Sequence, residues 1–148
     1  MNGGRNGAGI PIMRIVADTN IYISAFPFGG LPRIFLEFGL GGAFSLATSH
    51  PLLEELDEKL KTKFAVPNEK RGAFLAKITS CAEIVSTLVV LNDVPDDPDD
   101  NRVLECAVDG RAYSIVTGDR HLLRLGSYAG IPIVTVRSFL QTSGLAPF

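Results

Sequence analysis

Two short, mostly apolar runs, Arg14-Ile15-Val16-Ala17 and Tyr113-Ser114-Ile115-Val116-Thr117, each deliver a carboxylate within two residues of their end, at Asp18 and Asp119. Apolar runs without alternation mark strands buried on both faces, which occur in parallel sheets covered by helices. Ala43 to Ala47, Ile84 to Leu91 and Ile131 to Val136 are further strand candidates. Helical spacing lies between them. Ile34, Phe35, Phe38 and Leu40 form one such set, stopped by Gly41-Gly42. Leu52, Leu53, Leu56 and Leu60 share a face of a helix that Ser49 caps and that runs to about Lys61. A third helix, from Pro67 to about Cys81, carries Phe74, Leu75 and Ile78, and a fourth runs from about Asp99 to Gly110. Shorter helices are expected at Ile21 to Phe26, around Leu122 to Leu125, and at Arg137 to Gln141. This order implies a three-layer α/β/α fold around a central parallel sheet of about four to five strands.

The chain has 148 residues, 46% of them hydrophobic, which suits one domain with its own core. Residues 1–12 are rich in Gly and Asn, so they are expected to be a disordered extension, with the domain spanning 13–148 and Met13 as its functional start. A formal charge of −2 leaves no global basic footprint, and any nucleic-acid contact must be local. Lys59, Lys61, Lys63, Lys70 and Arg71 make up the most basic region and are the candidate RNA-binding residues. Cys81 and Cys106 lack metal or redox spacing and fit buried free thiols in a reducing cytoplasm. No apolar run approaches the ~20 residues of a membrane span, and no signal-peptide pattern opens the chain.

Asp96-Asp97-Pro98-Asp99-Asp100-Asn101 places four carboxylates in six residues, just before the apolar pattern of the fourth long helix. An acidic helix start explains such a segment, and so does a site for a hard divalent cation. In a parallel sheet Asp18, Asp119 and that helix start converge on the rim where the strands end, the usual ligand edge of α/β sheets. Each acid alone could be a helix cap; Asn20 shares that ambiguity. A metal site would draw one more carboxylate from a neighbouring helix. Glu55 lies closer to the leucine stripe than Glu54, so it is the better candidate to point inward.

Val16-Ala17-Asp18-Thr19-Asn20, Ser49 through Glu55-Leu56, Asp97-Pro98-Asp99-Asp100-Asn101 and Val116-Thr117-Gly118-Asp119-Arg120-His121-Leu122-Leu123, in that order, resemble the PIN-domain family of metal-dependent ribonucleases. The likeness is greatest to its VapC-like branch, the toxins of toxin–antitoxin systems, and covers about Met13 to Leu140. Carried over by motif, the resemblance implies catalytic acids at Asp18, Glu55, Asp100 and Asp119, with Asp18, Asp100 and Asp119 holding metal. Asn20, Asp97 and Thr117 match supporting positions, and a slip of one residue would exchange Asp99 for Asp100. Mg²⁺ or Mn²⁺ is the implied cofactor: ions invert the sign of an acidic pocket that would otherwise repel RNA, activate water and stabilise the leaving oxygen. An RNA substrate, a cognate antitoxin, homodimerisation and a cytoplasmic location follow from the same resemblance.

A non-catalytic RNA-binding or protein-interaction module would keep the same acids as caps. A receiver-type phosphotransfer domain needs a strand-end lysine, whereas the lysines here lie between 59 and 77. A haloacid-hydrolase type needs a second Asp two residues after the first, where this chain has Asn20. His50 and His121 are the only histidines, so no Ser/His/Asp arrangement is apparent; His121, beside Asp119, is a candidate for substrate contact.

Overall fold

The computed structural model describes residues 13–26, 29–91 and 98–145. The expectations for residues 1–12 and for Asp96 and Asp97 lie outside these. Among the described residues the strands are β1 (Arg14–Ala17), β2 (Ser45–Ser49), β3 (Glu83–Val85), β4 (Ser114–Val116), β5 (Ser127–Tyr128) and β6 (Ile131–Val134). The helices are α1 (Thr19–Ala25), α2 (Gly30–Leu40), α3 (His50–Thr62), α4 (Asn68–Cys81), α5 (Pro98–Asp109), α6 (Arg120–Leu125) and α7 (Val136–Thr142).

The strands form one sheet in the order β3-β2-β1-β4-β6-β5. Five of them pair in parallel, and β5 joins β6 antiparallel. β2 and β3 follow β1 outward on one side while β4 and then the β5–β6 hairpin lie on the other, so β1 and β4 flank the switch point where a crevice opens beyond the strand ends. Neighbouring strand residues face opposite sides: Ile15 and Ala17 pack into one apolar cluster and Val16 into another, and Val116 and Ile115 divide the same way. α1, α2, α4 and α7 supply the first cluster, while Val103, Leu104 and Ala107 of α5 and Leu122 of α6 supply the second. The fold is therefore α/β/α, with both sheet faces covered.

Three local expectations need correction. The second strand starts and ends two residues later than read, because Gly42 and Ala43 return N–H groups to Gly39 and Phe38 and remain in the turn. The run from Ile84 to Leu91 keeps strand pairing only as far as Val85. Beyond it, the N–H groups of Leu88 and Val89 bond Asp109 and that of Leu91 bonds Glu105, so side chains of α5 take the place of a neighbouring strand. The β5–β6 hairpin adds an antiparallel edge strand to the five parallel strands, which match the expected central parallel sheet. Both cysteines are free, but only Cys106 is buried; Cys81 ends α4 in solvent.

Candidate metal centre

Asp18 follows β1 directly and caps α1, its Oδ1 accepting the Asn20 N–H at 2.7 Å. Its other oxygen accepts the hydroxyl of Thr117, which follows β4. Thr117 Oγ1 in turn accepts the Asp119 N–H at 2.9 Å. One threonine thus ties together the ends of β1 and β4 and the acid that each presents. Asp119 caps α6, with Oδ1 accepting from His121 N–H at 2.7 Å and Leu122 N–H at 3.2 Å.

Both acids are helix caps, and that role does not exclude a ligand role for Asp18 or Asp119. A carboxylate oxygen has spare lone pairs after accepting an N–H, so capping orients the group without using it up. Asn20 contributes its backbone N–H, while its side chain is exposed.

The other two acids come from α3 and α5. In α3, Glu54 is exposed and the Glu55 side chain is 13% accessible. Glu55 Oε2 accepts the Thr19 hydroxyl at 2.5 Å and pairs with Lys59 Nζ at 2.7 Å. Glu55 Oε1 is buried with no hydrogen-bond partner among the described residues. At the start of α5 Asp99 is exposed and Asp100 is buried. One donor atom each from Asp100, Asp119 and His121 lie within 4.8 Å of one another, a span that one divalent ion bridges with small side-chain shifts.

Burial pushes the Asp18 carboxyl above the ordinary aspartate value and Asp119 adds repulsion, against hydrogen bonds from Thr117, Asn20 and Ile21 that favour the anion. Burial alone would lower the Lys59 ammonium, but the bond and charge of Glu55, then Asp99 and Asp18, outweigh it and raise the group. The centre is thus a desolvated set of acids with Lys59 as an internal counter-charge. A compact set of oxygen and nitrogen donors from Asp100, Asp119 and His121 fits a divalent cation, for which carboxylate and imidazole are suitable ligands.

The basic residues are distributed differently from the expected patch. Lys61, Lys63 and Lys70 are exposed. Arg71 is committed to Asp57 at 2.8 Å and to Val66 O at 2.8 Å, and Lys59 belongs to the centre. A groove of about 580 Å³ opens from Asp119, bounded by Asn20, Ser24, Arg120, Thr135 and Arg137. Thr19, Arg120 and Arg137 were not singled out from sequence; their placement depends on α1 meeting α3 and on α6 facing α7, which no local spacing encodes.

The PIN-domain family model matches residues 14–121, a stretch that includes all four acids. The chain belongs to the PIN-domain family. Two solved structures share its fold. VapBC2 from Rickettsia felis, bound to a DNA fragment from their promoter, aligns with TM-score 0.62 and 16% identity, over 83% of this chain and 98% of that one. PAE2754 from Pyrobaculum aerophilum aligns with TM-score 0.60 and 16% identity, over 91% of each chain. No curated protein matches the chain significantly. Every element that carries an acid of this PIN domain lies inside the matched stretch, while α7, which bounds the groove, lies beyond it.

Proposed function

We propose that this PIN domain is a metal-dependent endoribonuclease that hydrolyses RNA phosphodiester bonds, and that it acts as the toxin of a toxin–antitoxin pair. The observations that carry the reading are that Asp100, Asp119 and His121 bring donor atoms within 4.8 Å of one another, that Thr117 ties Asp18 to Asp119, and that Glu55 Oε1 is buried with no hydrogen-bond partner among the described residues. Structural caps would not require a fourth, desolvated acid from a helix. The VapBC2 likeness supports the toxin assignment at the level of fold.

In this reading Asp18, Asp100 and Asp119 hold Mg²⁺ or Mn²⁺, and His121 stands close enough to join them. The bound cation supplies the positive charge that draws a phosphodiester to an acidic rim, and it activates water at neutral pH. Thr117 fixes the rotamer of Asp18 and the backbone of Asp119. Thr19 and Lys59 fix Glu55 by one oxygen and leave the other to accept a proton from the attacking water. Arg120 and Arg137 face the arriving strand along the groove. Asn20 supports Asp18 through its backbone N–H, and the supporting role of Asp97 rests on the motif alone. A cognate antitoxin that covers the acidic rim, a homodimer and a cytoplasmic setting complete the reading; no helix among the described residues is long and apolar enough to cross a membrane.

The test is cleavage of end-labelled RNA by purified protein with Mn²⁺. Product is expected for the wild type, and a loss of at least a hundredfold for Asp100→Asn and for Asp119→Asn, in line with the several kcal/mol that metal-assisted charge stabilisation contributes. No product from the wild type, or product that survives both substitutions, would reject the ribonuclease.

A further inference from the structure

The four acids do not form one equivalent set. Asp100 and Asp119 bring oxygens, and His121 a nitrogen, to within 4.8 Å of one another, a group that includes neither Asp18 nor Glu55; Asp18 is nonetheless tied to Asp119 through Thr117. Glu55 is instead held from two sides by groups that are themselves cationic or polar. Lys59 Nζ lies 2.7 Å from its Oε2, with both side chains largely buried at 19% and 13% accessible, and the Thr19 hydroxyl lies 2.5 Å from the same oxygen. The ammonium also lies within electrostatic reach of Asp99 and Asp18. Lys59 is thus a largely buried monovalent charge fixed on Glu55, and the fields of Asp99 and Asp18 add to what keeps it charged.

We infer that Lys59 occupies the place of a second divalent ion, so that this protein binds a single catalytic cation, among Asp18, Asp100, Asp119 and His121, and completes the positive side of its site with its own ammonium. This inference rests on the nuclease reading above and assigns its cation count. Two cations about 3.5–4 Å apart clamp the attacking and leaving oxygens in two-ion sites. An ammonium already salt-bridged to the remote acid lowers the negative charge that would draw a second ion, and it is bonded to one of the two Glu55 oxygens. Lysine is suited to the task because it is a compact point charge, which a planar guanidinium is not. Glu55 is then a positioning residue for Lys59 through Oε2, and not an ion ligand through that oxygen.

Isothermal titration with Mn²⁺ in the absence of RNA measures the count directly. One ion per chain is expected for the wild type, and Glu55→Gln is expected to leave that count at one with Kd changed less than threefold. Asp119→Asn should weaken binding at least tenfold. Lys59→Gln, which keeps a polar chain of similar length, should admit a second Mn²⁺, whereas Lys61→Gln on the exposed side of α3 should not. Two ions per wild-type chain, or loss of binding in Glu55→Gln, overturns the inference and leaves the nuclease reading standing. A wild type that binds no Mn²⁺ at all overturns both. Circular dichroism of each variant separates loss of an ion from loss of fold.

Discussion

Asp18 shows how one residue can be a structural cap, a ligand and a liability at once. Its folded-state proton affinity exceeds its unfolded one, chiefly through burial. A group with its pKa raised in the folded state stabilises the fold most at pH values below its unfolded pKa. That contribution is lost as pH rises through the folded pKa. The ion-free protein is therefore expected to lose stability as pH rises from the ordinary aspartate range towards neutrality. Asp18→Asn keeps an acceptor for the Asn20 N–H but cannot carry the charge. Its melting temperature in EDTA at pH 7 is expected to exceed the wild type's by a few degrees, at the ~2–4 °C per kcal/mol typical of domains near this size, and the gap should close towards pH 4. Added Mn²⁺ should raise the wild type and leave the variant nearly unmoved. A variant less stable than the wild type at pH 7 would mean that the lost Thr117 bond outweighs the desolvated charge. Asp18 and Asp119 were legible in the sequence because a strand-end acid announces itself by position, and Glu55 because a helical stripe fixes its face. Thr19 was not: its role comes from α1 lying against α3, a contact between residues 36 apart in sequence at Thr19 and Glu55, whereas the Glu55–Lys59 pair is an i,i+4 spacing within α3, although Lys59 was expected only as an RNA contact.

The elements hold this edge in place through the closeness of their packing, and Gly39 is where that closeness is greatest. α2 buries Phe35, Leu36 and Gly39 against the sheet. A Cβ on Gly39 would meet Leu46 Cγ at 2.6 Å and Phe44 Cε1 at 2.9 Å, both on or beside β2. Gly39→Ala should improve helix propensity by about 1 kcal/mol, yet overpacking of a close-packed core costs about 1–3 kcal/mol. Net destabilisation is expected, read as a lower urea midpoint, with cleavage per folded molecule retained because α2 carries none of the acids. A variant as stable as the wild type would show that α2 can move off the sheet at little cost. The same dependence on partners explains which elements could be read in advance. β1, β4 and β6 are apolar on both faces and identify themselves, whereas β5 has two residues and no pattern to detect. Its turn places both Ala129 and Gly130 at positive φ, as a two-residue hairpin requires, but only the glycine hints at it. β3 ends early because Asp109 and Glu105, more than a dozen residues further on, capture the next N–H groups.

For the whole molecule, the question is how an acidic protein brings a polyanion to an acidic centre. Two surfaces could serve. α3 begins at the strand-end edge and runs back along the sheet at ~1.5 Å per residue, so Lys61 and Lys63, six and eight residues beyond Glu55, stand about 9–12 Å further from the acids along its axis. The groove of Arg120 and Arg137 instead includes Asp119 in its own wall. A phosphodiester strand lying in it reaches the centre without a gap, which favours the groove as the path and leaves the lysines to general attraction. Single-strand binding loses about 0.7 in the slope of log affinity against log salt for each phosphate no longer neutralised. In an Asp100→Asn background that leaves RNA intact, Arg120→Gln with Arg137→Gln should therefore reduce that slope by about 1.4 in fluorescence anisotropy. Lys61, Lys63 and Lys70 changed together to Gln should leave the slope within about half a unit. The reverse pattern would put the strand on the α3–α4 face, and would require the RNA to bend around the end of α3 to reach Asp119.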